Sequence, residues 1–213
     1  DVLIASSAAL NRQADAIALL TRFGDAQPDL VAPRVARSRL QASTGAFAPA
    51  IAVLTEYLER RPADGAALEQ LASIYADAGD SARLAEVVNA MSVLSERAGS
   101  HYYAAALQFM QGQMYGALDA AQRALALDPR SARAQNLVGA IKATRGDVTG
   151  ARQAFEAALA IDAQDPTTYQ NLAQLEANQG NAAVATRLYA EALAIDPASQ
   201  IAREALAQLR AAP

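Results

Sequence analysis

The sequence predicts an all-α protein built as a solenoid of stacked helix–turn–helix units, and three observations predict it. The first is a repeat. Gly139, Gly146, Ala151, Phe155, Ala158 and Asp162 recur 34 positions later as Ala173, Gly180, Ala185, Tyr189, Ala192 and Asp196. The same step backwards reaches Ala105, Gly112, Ala117, Ala121, Ala124 and Asp128. A fixed period of this length marks an array whose units are too small to bury an apolar face alone. The second is composition: 53% of residues are apolar but only 5% aromatic, so alanine and leucine carry the burial. Such small residues suit closely packed helices, and alanine is the best intrinsic helix former. The third is spacing, with apolar residues at steps of three and four and no strand-like alternation.

Residues 1–30 read as a partial unit in which Ala16, Leu20, Phe23 and Pro28 fill the slots of a second helix. Ahead of them, Val2, Leu3, Ile4, Ala5, Ala8, Ala9 and Leu10 give a helix apolar on most sides, relieved only by Ser6, Ser7 and Asn11. A helix of that kind expects neighbours on both flanks. The array is therefore expected to continue before Asp1, or this end to self-associate. In the unit 31–64 the break is Gly45, and Ala50, Leu54, Tyr57 and Pro62 keep the second-helix spacing. Its first helix is atypical, with Arg37 and Ser38 where later units have apolar or small residues.

The unit 65–97 breaks at Gly79-Asp80 after Leu71, Ala72 and Tyr75, ends without a proline and is one residue short. The unit 98–131 breaks at Gly112, and the unit 132–165 at Gly146-Asp147. The unit 166–199 is the clearest. A first helix over Thr168–Gln179 buries Leu172, Ala173 and Leu175, and Gly180-Asn181 stops it. Glycine there supplies a left-handed turn. A second helix then carries Ala185, Leu188, Tyr189, Ala192 and Leu193 on one side until Asp196-Pro197 ends it, since proline cannot continue a helix. Residues 200–213 read as a capping helix, with Ile201, Ala205, Leu206 and Leu209 against the array and Arg203, Glu204, Gln208 and Arg210 in water.

These residues resemble the tetratricopeptide repeat, whose pattern is a large residue, Leu-Gly, Tyr, then Ala, Phe, Ala and Pro. The last unit matches with Tyr169, Leu172-Ala173, Ala185, Tyr189, Ala192 and Pro197. The unit before it matches with Val138-Gly139, Ala151, Phe155 and Ala158, with Ala163 in place of the proline. The resemblance covers the whole chain and weakens before Ala98. It implies a single right-handed α-solenoid over 1–213, and a function as a non-catalytic scaffold that binds a peptide or protein partner.

Chemistry is sparse. His101 is the single histidine and there is no cysteine, so no Ser-His-Asp or Cys-His arrangement can be nominated without His101 and no imidazole pair exists for a metal. No catalytic residue, metal or cofactor is expected. His101 falls in the large-residue slot of a first helix and reads as a packing or groove-edge residue. The glycines of Gly146-Asp147-Val148-Thr149-Gly150 lie between two helices and lack the lysine of a phosphate loop. Asp162-Ala163-Gln164-Asp165 lacks the length and terminal glutamate of a calcium loop, so both stretches read as turns. Net charge is −4 with no lysine or arginine run, which disfavours nucleic acid. No stretch reaches the roughly 18 apolar residues of a membrane span. Arginine in place of lysine everywhere but Lys142 points to GC-rich bacterial coding.

The resemblance also implies where a partner binds, because first helices line the concave side of such arrays. The implied residues are Tyr102, Phe109 and Met110, then Arg133, Asn136 and Thr144, then Gln170, Gln174 and Asn178. Aromatic and methionine side chains supply anchor area, amides bond an extended backbone, and Arg133 suits a carboxylate. Equally, the amides read as solvated polar residues, and Tyr102-Tyr103 with Phe109 and Met110 as part of the core. The slots of a carboxylate clamp hold Tyr102, Ala106, Leu137, Thr167 and Asn171 with no lysine, which argues against that subclass. Arg34, Arg37 and Arg39 with Arg60 and Arg61 form either a basic face for an acidic partner or an ordinary solvated surface. Two other functional classes stay open: a cell-envelope accessory contacting a polysaccharide or its synthesis machinery, and the recruiting segment of an enzyme whose catalytic domain precedes Asp1. The compartment, cytoplasm or periplasm, is not readable.

Overall fold

Five of the breaks between helices carry one glycine held at positive φ. Gly45, Gly79, Gly112, Gly146 and Gly180 have φ of 78, 70, 75, 81 and 79°, a conformation that costs residues with a Cβ about 1–2 kcal/mol. The residue after the glycine returns its N–H to a carbonyl five positions back: Ala46 to Gln41, Asp80 to Tyr75, Asp147 to Lys142 and Asn181 to Glu176. This closure satisfies carbonyls that the helix end would otherwise leave bare. The next helix is often capped at once, Asp80 accepting from the Arg83 N–H and Asp147 from the Gly150 N–H. Asp64, Ser131 and Asp165 cap first helices in the same way, each such cap contributing about 1 kcal/mol.

The computed structural model describes residues 12–94 and 97–211. Among them are twelve α-helices. They are α1 (Gln13–Ala26), α2 (Ala32–Ala42), α3 (Phe47–Arg60), α4 (Gly65–Asp77), α5 (Ser81–Ser92) and α6 (Ala98–Met110), then α7 (Met114–Leu127), α8 (Ala132–Thr144), α9 (Val148–Ile161), α10 (Pro166–Asn178), α11 (Ala182–Ile195) and α12 (Gln200–Ala211). The class is the expected one, all-α with stacked helix–turn–helix pairs. All five break glycines sit where the sequence placed them. The expected helix over Val2–Leu10 lies outside the described residues.

The chain divides into two compact units, Asp1–Gln111 and Gly112–Pro213. In the first, neighbouring helices pack in sequence and the even-numbered ones also stack on each other, α2 on α4 and α4 on α6. Its core gathers Leu54 and Tyr57 of α3, Leu71, Ile74 and Tyr75 of α4, Leu84 and Met91 of α5 and Tyr103 of α6. In the second unit α8 packs on α9, α10 on α11 and α11 on α12. Its core holds Phe155, Leu172, Leu175, Leu188, Tyr189 and Leu206.

The irregular early repeat has a structural explanation. Ser38, fully buried, donates its hydroxyl to the Ala50 carbonyl at 2.9 Å, so its polarity is satisfied by the partner helix. Three of the five arginines bond to α1 or the loop after it, and Arg39 and Arg60 are exposed. Arg34 donates to the carbonyls of Gly24 and Leu30 at 3.1 and 2.8 Å and lies over the Tyr57 ring. Arg37 reaches the Thr21 hydroxyl at 3.1 Å, and Arg61 pairs with Asp29. Together they tie α1 and the loop after it to α2 and α3, Arg34 adding a bond to the Gly24 carbonyl in the last turn of α1.

Three sequence expectations shift. Helix α10 starts at Pro166, two residues early, because Asp165 caps it and proline suits a first helical position. In α1 the Ala16 slot is buried, whereas Phe23 is 50% exposed. In α12 the buried residues are Ala202 and Leu206, with Ala205 and Leu209 half-buried, while Ile201 is 67% exposed. Positions 202, 205, 206 and 209 follow the three-and-four spacing of one helical face, and residue 201 falls off it.

At Gly139 of α8 an added Cβ would lie 2.5 Å from the Phe155 ring of α9. Gly139→Leu is expected to cost about 1–3 kcal/mol through overpacking, read as a lower urea midpoint with an unchanged slope. An unchanged midpoint would show that the ring has room to move aside.

Candidate functional site

The face nominated in the second unit belongs to α8 and α10, which stack directly on each other. Their register brings Asn136 and Asn171 together, the Asn171 Nδ2 donating to the Asn136 Oδ1 at 3.0 Å. Farther along α10, Gln174 donates its Nε2 to the Asn178 Oδ1 at 2.8 Å, one helical turn on. Gln174 accepts in turn from the Tyr189 hydroxyl of α11 at 3.1 Å. Gln170 donates to the Ser199 hydroxyl at 3.1 Å. Thr144 turns its hydroxyl back to the Ala140 carbonyl at 2.9 Å, and Arg133 is exposed at the start of α8. The amides thus form bonded pairs with set orientations, which distinguishes them from independently solvated side chains.

In the first unit the nominated residues lie on α6. Tyr103 is 2% exposed and belongs to the core. Tyr102 is half-buried against that core, its ring edge-on to Tyr103 at 5.0 Å and 77°. Phe109 is half-buried and Met110 is exposed at the helix end. Half of the tyrosine pair is therefore packing, and Tyr102, Phe109 and Met110 keep surface. His101 is half-buried on the same helix. The clamp slots hold a buried Ala106, a half-buried Leu137, an exposed Thr167 and the paired Asn171. Among the described residues no three His, Cys, Asp or Glu side chains gather as a metal would require, and no helix is long and apolar enough to cross a membrane.

Sequence reasoning missed Glu176. It lies on α10 and is 5% exposed. Its carboxylate accepts from Arg152 of α9 at 2.6 Å and from Asn181, in the turn before α11, at 2.6 Å. A carboxylate so buried needs these partners. The Arg152 bond holds its pKa below the ordinary carboxylate value, against the upward push of burial, with Asn181 adding to the depression. No spacing rule announces the pair, since Arg152 and Glu176 lie 24 residues apart.

Helix pairs of this length, closed by a left-handed glycine and stacked first helix upon first helix, define an α-solenoid of short repeats. Solved structures of tetratricopeptide-repeat proteins share this fold. A chain of the Cut9–Hcn1 hetero-tetramer of the APC/C is similar over 95% of this chain, with a TM-score of 0.78 and 16% identity. This chain spans 41% of that one. TTC0263, a thermophilic tetratricopeptide-repeat protein of Thermus thermophilus, is similar over 85% of this chain and 99% of its own, with a TM-score of 0.75 and 20% identity. YrrB, described as a tetratricopeptide-repeat protein with an unusual peptide-binding site, is similar over 87% of this chain and 96% of its own, with a TM-score of 0.52 and 20% identity. No protein-family model and no curated protein sequence matches this chain. The likeness is one of backbone geometry, and solenoids of this class serve as extended binding surfaces.

Glu176 gives the second unit an acid dependence of defined sign. Its folded pKa is depressed, so its stabilising contribution is complete above the unfolded value and is lost as pH falls through the folded one. Acidification from neutrality to below about pH 4 is expected to lower the melting temperature of wild type more than that of Glu176→Gln. Equal acid slopes in the two proteins would show that other carboxylates carry the effect.

Proposed function

We propose that this protein is a non-catalytic scaffold that holds an extended peptide segment of a protein partner on its first-helix faces. In the second unit the binding residues are Arg133, Asn136 and Thr144 of α8 and Gln170, Gln174 and Asn178 of α10. In the first unit Tyr102, Phe109 and Met110 of α6 offer apolar anchor area. The observation that carries the reading is the cross-helix Asn136–Asn171 pair. Two amides that satisfy each other with one group apiece are fixed in direction and still have donor and acceptor capacity for a ligand. A peptide backbone presents that complement whatever its side chains. Among the similar structures, the peptide-binding description of YrrB supports the same class of ligand, and the Thermus source of TTC0263 agrees with the bacterial composition.

A second observation favours self-association at the N-terminal end. Leu19 and Phe23 of α1 are each 50% exposed. Phe23 borders a groove of about 400 Å3 lined also by Leu20, Ala32, Val35 and Ala36. Sedimentation of wild type is expected to show concentration-dependent dimers that Leu19→Glu with Phe23→Glu removes. A wild type that stays monomeric to hundreds of micromolar would end this reading.

The peptide reading is tested by affinity capture followed by mass spectrometry, comparing wild type with Arg133→Glu combined with Asn136→Ala. The double variant should lose at least tenfold of the specifically captured partner while its circular dichroism and melting stay as in wild type. Undiminished capture would place the partner on another surface.

A further inference from the structure

Two successive repeats of the second unit differ in a coordinated way. In the repeat of α8 and α9, the first-helix slot is Ala140 and the aromatic of the second helix is Phe155. In the repeat of α10 and α11, the corresponding positions hold Gln174 and Tyr189. The polar side chain on the face and the hydroxyl beneath it occur together, and they bond at 3.1 Å.

We infer that Tyr189, a core residue, is the positioning residue that fixes the hydrogen-bond direction of the α10 face. The inference rests on the peptide-binding reading for the ligand, but the relay itself does not. Tyr189 is 2% exposed, and burial pushes its phenol pKa up, so its hydroxyl stays protonated. Donation of that proton to the Gln174 Oε1 selects one of the two amide orientations, because only the oxygen can accept. The Gln174 Nε2 then donates to the Asn178 Oδ1 at 2.8 Å. With its Oδ1 so engaged, Asn178 offers its Nδ2 as a donor, and the chemistry it selects is a hydrogen-bond acceptor such as a backbone carbonyl. With phenylalanine at 189, both amides would sample two orientations and the face would lose its polarity. The buried hydroxyl thus acts on a ligand it never touches.

The test is side-chain amide spectroscopy on nitrogen-15-labelled full chain, first without ligand. Tyr189→Phe should shift the Asn178 NH2 signals and make the Gln174 NH2 exchange severalfold faster, while backbone signals of α12 stay in place. A hydroxyl serving packing alone would leave Asn178, one residue removed from the bond, unmoved. That result overturns the inference. Transplanting the pair with Ala140→Gln and Phe155→Tyr should create a second slowly exchanging glutamine amide, and failure to do so in a folded variant also counts against the relay. The ligand arm uses a capped Gly-Ser dodecapeptide as a side-chain-poor backbone probe. It should shift the Asn178 NH2 of wild type at least threefold more than that of Tyr189→Phe, and equal shifts would remove Tyr189 from specificity. If the probe moves no α10 signal in wild type, the peptide reading fails while the ligand-free spectra still decide the relay.

Discussion

The structure depends on how closely a first helix can approach its second. Within each unit a left-handed glycine lets the pair fold back at once, and the approach is then set by what stands between the helices. At Gly139 nothing stands there, and the Phe155 ring fills the space that a Cβ would need. One repeat later Ala173 occupies the same slot, fully buried against the same kind of ring. The ledge of small residues lets the alanine-rich helices of a 22.2 kDa chain find enough contact without a central core. Within each unit a pair still has an uncovered side, and a neighbouring helix covers it.

On this fixed backbone, polar groups are added by exchange at slots that packing leaves free. Ala140 and Gln174 occupy one such slot, and the aromatic below changes with them. The exchange costs little because the amide satisfies the hydroxyl, which alone would add a buried unmet polar group of roughly 1–3 kcal/mol. Glu176 obeys the same rule with a charge. Its carboxylate is tolerable inside the last repeats only because Arg152 and Asn181 reach it from two sides. That arrangement links three elements of the second unit beside the face that presents Gln170, Asn171, Gln174 and Asn178. Removing a partner would loosen α10 from its neighbours and with it the geometry of the amides.

What the sequence makes legible is whatever repeats. The five break glycines, the second-helix stripes and the near-constant period all arise from backbone closure and one-sided burial, which act within a few residues and leave a pattern. The candidate face is legible as a set of positions, but its bonding is not. Nothing in the spacing says that Asn171 meets Asn136, because that contact needs the stacking register of α8 on α10. Tyr189 reads as core, correctly, yet its hydroxyl on Gln174 depends on a reach between helices that periodicity does not encode. Arg34 and Arg37 look like surface charge because their partners are backbone carbonyls and a threonine, and carbonyls carry no sequence signature. Ile201 is misplaced by one step of about 100°, an error that a short terminal helix with few apolar residues invites.

On the proposed reading, the two faces differ in what they ask of a partner. On α6, Tyr102, Phe109 and Met110 offer area, and area binds many sequences without orienting them. On α8 and α10 the amides offer direction, and direction matters only if it is held fixed before the partner arrives. An unconstrained glutamine would sacrifice rotamer freedom on binding, at about 1–2 kcal/mol, and would recover little of it from one hydrogen bond to an uncharged ligand. Here that freedom is already surrendered in the folded protein, through Asn136, Ser199, Asn178 and Tyr189. Such preorganisation lets weak, neutral hydrogen bonds add up to recognition. It is also the reason the bonded amides, more than the exposed aromatics, carry the functional reading.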